Sequence, residues 1–128
     1  MHSEQRRGST FRRGDAGYEA ARRATCWNAR LADRFPDVIV QANDEDDVVG
    51  ALQQAAREGL RVGVRSGGHS WAGNHVRDGG MLLDVSRLDS VTIDAGAMRA
   101  TAGPGCAGHA LAEQLRPHGL FFPAGHCK

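Results

Sequence analysis

No run of about 18 apolar residues occurs anywhere in the chain, so the sequence offers no membrane-spanning helix. Aromatic residues are scarce at 5%, and cysteines number only three: Cys26, Cys106 and Cys127. That odd count, at wide spacing, argues against a disulfide framework and against the Cys-x-x-Cys pairing of zinc and thiol-redox motifs. The histidines His69, His75, His109, His118 and His126 show no i, i+4 pairing and no acidic ligand in register, so no metal site is expected. A net charge of +1 removes any global attraction to nucleic acid. The arginine pairs Arg6-Arg7, Arg12-Arg13 and Arg22-Arg23 crowd the start. A twin-arginine export signal needs an apolar stretch next, and Gly14-Asp15-Ala16-Gly17 supplies none. Residues 1–15 therefore read as a basic, disordered tail, and the cytoplasm is the expected compartment.

What the chain has in plenty is glycine, 17 in 128 residues, which suits a loop-rich nucleotide-binding domain better than a helical bundle. The length allows one small domain, here 16–128. Tyr18 to Arg30 reads as a short helix with Trp27 as a candidate core anchor, broken by Pro36. Asp37 to Gln41 is a short buried strand. Asn43 or Asp44 can cap a helix whose first turn is acidic. Val48, Val49, Leu52, Ala55 and Ala56 recur at helical spacing, and Gly59 is a plausible stop. Arg61 to Arg65 is a second strand, which makes a parallel βαβ unit. After a glycine-dense loop from Ser66 to Gly80, Met81 to Val85 is a third strand. Ser90–Asp94 and Met98–Ala102 form a hairpin around Ala95-Gly96-Ala97, and Ala107 to Leu115 a short helix. Gly119 to Gly125 is extended and apolar. The fold class is α+β: a small parallel βαβ sheet, then a partly antiparallel sheet with a flanking helix.

Two glycine clusters could carry chemistry. Arg65-Ser66-Gly67-Gly68-His69-Ser70 ends a predicted strand. Adjacent glycines let backbone N–H groups approach and cradle a pyrophosphate, with Arg65, Ser66 and Ser70 as further donors. A plain turn bearing a surface histidine is the alternative. Gly103-Pro104-Gly105-Cys106-Ala107-Gly108 satisfies G-x-G-x-x-G, the dinucleotide fingerprint. However, Pro104 removes a donor, the preceding strand belongs to a hairpin, and no acidic residue follows at the required distance. A thiol–imidazole nucleophile built from the neighbours His126 and Cys127 is poorly placed, since adjacent residues seldom face each other.

The stretch Arg65 to Leu88, RSGGHSWAGNHVRDGGMLLDVSRL, resembles the flavin-binding segment of berberine bridge enzyme-like FAD-linked oxidases. These belong to the vanillyl-alcohol oxidase and p-cresol methylhydroxylase class. Phe122-Pro123-Ala124-Gly125-His126-Cys127-Lys128 resembles that family's second attachment motif, and Trp27-Asn28, Pro36 to Gln41 and the helix near Asp44 fit its opening. The resemblance runs from about Tyr18 to the last residue. It implies the N-terminal portion of a PCMH-type FAD-binding domain, with FAD as cofactor. His69 matches the histidine bonded to the flavin 8α-methyl carbon, and Cys127 the cysteine bonded to flavin C6 in bicovalent members. His126 or Lys128 could lower the pKa of that thiol. Arg65, Ser66, Gly67, Gly68, His69 and Ser70, with Gly73 in the same loop, match the stretch around the pyrophosphate and the histidyl link. Gly103, Gly105 and Gly108 match a segment contributing to the flavin pocket.

The activity implied is oxidation of an alcohol-like carbon with dioxygen as acceptor. Family members are several times longer, so the catalytic base and substrate pocket are expected to lie outside this sequence, and turnover by this chain alone is not expected. The alternatives are a non-catalytic binding module or remnant and, less favoured, an NAD-type Rossmann domain through Gly103 to Gly108. No nucleic acid or membrane partner is expected. The sequence leaves the substrate and the oligomeric state open.

Overall fold

A computed structural model describes residues 8–125. The chain forms two compact units that meet in sequence between Arg87 and Leu88.

The first unit is a four-stranded sheet with two helices. Its strands are β1 (Ser9–Arg12), β2 (Val38–Gln41), β3 (Val62–Arg65) and β4 (Met81–Asp84), in the spatial order β1-β2-β4-β3. β2 and β3 both pair in parallel with β4, and β1 runs antiparallel to β2. The parallel unit expected from the sequence is present, but its two strands are not neighbours: β4 lies between them. All four residues of β4 are buried, as are Val38, Ile39 and Val40 of β2. Strands covered on both faces read as unbroken apolar runs, which is why no alternation shows in Val38-Ile39-Val40 or Met81-Leu82-Leu83.

Helix α1 (Tyr18–Ala24) covers one face, where Tyr18 and Ala21 form a core with Ile39, Leu82 and Val76. The Tyr18 hydroxyl donates to the Pro36 carbonyl at 2.6 Å, which satisfies its polar end inside this core. Strand alternation turns Val38, Val40, Met81 and Leu83 to the other face. Helix α2 (Glu45–Glu58) contacts β4 and buries Ala51 and Ala55. Asp44 caps it, accepting from the Asp47 N–H at 2.9 Å, and Gly59 ends it at φ 66°, as the residue types suggest.

Three expectations need correction. Of the tail expected over 1–15, Ser9–Arg12 is a sheet strand; arginines are compatible with it because β1 is an edge strand with one outward side. Trp27 is no core anchor. It is 53% exposed and meets Trp71 edge to face, ring centres 4.6 Å apart. On α2, Val49 and Leu52 are exposed and Ala51 is buried instead, so the small side chains rather than the large ones face the sheet.

The second unit holds the expected hairpin, β5 (Val91–Asp94) with β6 (Arg99–Ala102), antiparallel with Val91 opposite Ala102. Asp94 Oδ1 accepts from the Ala97 N–H at 3.0 Å and closes the turn. Helix α3 (Gly108–Leu115) follows and contacts β5, with Leu115 buried. A 3-10 turn, Arg116–His118, leads into residues 119–125, which have no regular structure. The mixture of a mainly parallel sheet, a hairpin and short helices is α+β.

Candidate functional site

The glycine loop begins where β3 ends. Arg65 and Asp84 stand opposite each other at the ends of adjacent parallel strands. Arg65 Nη1 lies 3.0 Å from Asp84 Oδ1 and 3.3 Å from Oδ2. Asp84 is buried and also accepts from the Ser86 N–H at 3.0 Å. The pairing leaves Arg65 Nε buried and without a hydrogen-bond partner. An orphaned donor of a guanidinium is unusual, since buried polar groups are nearly always paired.

Beyond Arg65 come two glycines, of which Gly68 is the one the backbone requires. A Cβ on Gly67 would stand 2.7 Å from the His69 ring. Gly68 has φ 70°, the left-handed region, and a Cβ there would stand 2.5 Å from the Thr25 carbonyl oxygen and 3.2 Å from Arg65 Nε. His69 itself is exposed, lying against the glycine backbone. The loop then tightens into turns: the Ser70 carbonyl accepts from Gly73 N–H at 3.1 Å, and Ser70 Oγ from Asn74 N–H at 3.2 Å. Gly73 is buried at φ 58°, next to Cys26 and Arg34.

A cleft of about 490 Å³ runs between β3 and this loop, with Arg65, Gly67, Gly68, His69, His75 and Arg77 on its walls. That size lies within the usual range of small-molecule sites. His75 is half-buried, and its Nε2 lies 2.9 Å from the Thr25 carbonyl oxygen and 3.6 Å from Cys26 Sγ. Burial pushes the His75 pKa below the ordinary value, with Arg65 and Arg34 acting in the same direction against the Thr25 bond and Asp84. Among the described residues no three His, Cys, Asp or Glu side chains converge as metal ligands would.

The structure thus gathers Arg65, Ser66, Gly67, Gly68, His69 and Ser70 on one cleft, while Gly73 serves the turn behind it. Gly103, Gly105 and Gly108 lie in the second unit and have local reasons to be small. A Cβ on Gly103 would collide with the Leu88 carbonyl, and one on Gly108 would stand 2.9 Å from the Ala124 Cβ. Gly105 N–H donates to the Leu88 carbonyl at 2.9 Å. Because β6 is a hairpin strand, this G-x-G-x-x-G stretch is not the βα turn of a Rossmann unit. Cys127 falls outside the described residues, as do His126 and Lys128. Sequence reasoning missed Thr25, His75 and Asp84. Only Asp84 gave a signal, as an acid at the end of a buried strand, which must have a partner.

A flavin nucleotide suits these features: the unpaired Arg65 Nε, the left-handed Gly68 and the cleft would accept the anionic diphosphate, although Asp84 offsets much of the Arg65 charge. The FAD binding domain family matches residues 36–128. An FAD-linked oxidoreductase of Penicillium ochrochloron is 35% identical over 118 residues, covering 92% of this chain and 26% of that protein. The crystal structure of 6-hydroxy-D-nicotine oxidase from Arthrobacter nicotinovorans superposes with a TM-score of 0.76 at 29% identity, over 93% of this chain and 26% of its own. The berberine bridge enzyme-like protein 1 of Physcomitrella patens reaches 0.81 at 25% identity, over 94% and 26%. The chain spans about a quarter of the length of these relatives. No helix among the described residues is long and apolar enough to cross a membrane. With nearly three-quarters of its length matched to that domain, the chain belongs to the FAD-binding domain family of the FAD-linked, berberine bridge enzyme-like oxidoreductases.

Proposed function

We propose that this chain holds FAD through the loop Arg65–Ser70 with its ring tethered by His69, as part of an oxidase that acts on an alcohol-like carbon with dioxygen as acceptor. The observation carrying this reading is the placement of His69. It directly follows Gly68, whose left-handed backbone leaves no room for a Cβ, projects exposed at the cleft wall, and lies within the segment that would hold the diphosphate. Bound FAD supplies the hydride-accepting chemistry; the protein supplies binding and orientation. In this reading Arg65 Nε and the Gly67-Gly68 backbone hold the diphosphate, and the His69 imidazole nitrogen is the point of attachment. Cys127 would provide a second bond, and Gly103, Gly105 and Gly108 further walls of the flavin pocket.

The test is direct. Denatured, acid-precipitated protein retains yellow colour and a flavin mass on the polypeptide if the tether exists. His69→Ala removes one link, Cys127→Ala the other, and the double variant releases all flavin. Complete release of flavin from the parent protein on precipitation, after full loading, would sink the covalent reading.

A second reading, a flavin-binding module without turnover of its own, is favoured by one observation. Of the side chains lining the cleft, Arg65 is paired with Asp84, His75 Nε2 is held by the Thr25 carbonyl, and His69 is the point of flavin attachment proposed above. Flavin that stays unreduced with every alcohol tried would support that reading.

A further inference from the structure

Thr25 caps the C-terminal end of α1 and is fully buried. The last carbonyls of a helix have no donor within it, so a buried one must find a donor elsewhere. The Thr25 carbonyl finds His75 Nε2 at 2.9 Å, 50 residues further along the chain. The same oxygen stands 2.5 Å from where a Gly68 Cβ would be, so the Gly68 backbone rests directly on it. One carbonyl therefore touches the glycine loop at two points, with His69 between them in the sequence. Gly63 of β3 completes the arrangement, since a Cβ there would stand 2.5 Å from the His75 carbonyl oxygen.

A carbonyl only accepts, so Nε2 carries the proton of this bond. That N–H cannot take a proton from Cys26 Sγ, 3.6 Å away, which removes an activated thiol as the purpose of the cluster. What remains is mechanical. We infer that His75 is a positioning residue for the flavin: its bond to the Thr25 carbonyl, opposite Gly68, holds the glycine backbone and His69 in the shape that takes FAD. This rests on the flavin reading of the loop given above.

Two variants of the full chain separate the bond from the bulk. In His75→Gln the amide nitrogen reaches the place of Nε2 and donates; in His75→Leu similar volume remains without a donor. Amide hydrogen exchange in the flavin-free protein reads the loop, and quenching of FAD fluorescence reads binding. His75→Leu speeds exchange at Gly73 and Asn74, whose N–H groups are bonded to Ser70 within the loop, by about tenfold or more, with β2 and β4 unchanged. It also weakens FAD by about tenfold. His75→Gln stays close to the parent in both. Parent-like loop exchange in His75→Leu overturns the inference, as does a His75→Gln variant as defective as His75→Leu. Loosening of β2 and β4 along with the loop also overturns it, because the role would then be general folding. If the parent binds no FAD, the flavin reading fails and takes the flavin half of this inference with it. The exchange arm still decides whether His75 anchors the loop.

Discussion

Arg65 and Asp84 close an ion pair of 3.0 Å between the ends of two neighbouring parallel strands, at the root of the glycine loop. Both side chains are largely out of water, at 17% and 7% exposure, so removing one partner strands a charge. Asp84→Leu should lower stability by about 3 kcal/mol, read as a drop in thermal midpoint. The double variant Arg65→Met/Asp84→Leu should recover most of that loss, because an apolar pair of similar volume avoids desolvating ions. It should not recover flavin affinity, since the unpaired Arg65 Nε goes with the guanidinium.

Gly68 and Gly59 offer a matched comparison. Both have positive φ, 70° and 66°, but only Gly68 has atoms where a Cβ would go. Gly59→Ala should cost about 1 kcal/mol and leave flavin binding intact. Gly68→Ala should cost more and abolish flavin retention, because the Thr25 carbonyl and Arg65 Nε must both move. Equal effects of the two substitutions on FAD titration would show that the close approach is irrelevant.

Arg22 is buried although charged. Its Nε and Nη2 reach the two Glu19 oxygens at 2.8 Å each, while Nη1 donates to the carbonyls of Ala32 and Arg34. Its guanidinium also lies 4.5 Å from the centre of the Phe35 ring. A lysine cannot reproduce that fork, so Arg22→Lys should cost about 2 kcal/mol. Limited proteolysis should then cut first between residues 26 and 34.

Acid should weaken the fold in two steps. Burial, with Arg65 and Arg34, holds the His75 pKa below 6.5, so the unfolded chain binds the proton first. That contribution is complete above pH 6.5 and is lost as pH falls from there through the lower folded value. The Arg22 hydrogen bond holds Glu19 at about 2 against an ordinary 4.5, so its contribution is lost as pH falls from 4.5 toward 2. Denaturant melts across pH should show both slopes. His75→Gln should flatten the first and leave the second, and Glu19→Gln the reverse.

Much of the fold follows from local residue types. The acidic cap at Asp44, the glycine stop at Gly59 and the turn at Ala95-Gly96-Ala97 each act over a few residues, and each lies where the sequence places it. The apolar runs of β2 and β4 are equally visible. Their neighbours are not: nothing in Val62-Gly63-Val64 says that β4 will separate β3 from β2. Nor does the arginine-rich start reveal an edge strand, because pairing with β2 is a contact across the chain.

The sequence by itself determined the family and the loop that would meet the flavin, because glycines at Gly67 and Gly68 and a histidine at His69 act through backbone geometry and side-chain chemistry at one place in the chain. Only the tertiary structure decided what surrounds that loop. Thr25, His75 and Asp84 come from distant segments, and their roles arise from buried polar groups needing partners, a demand that is settled only once packing has excluded water.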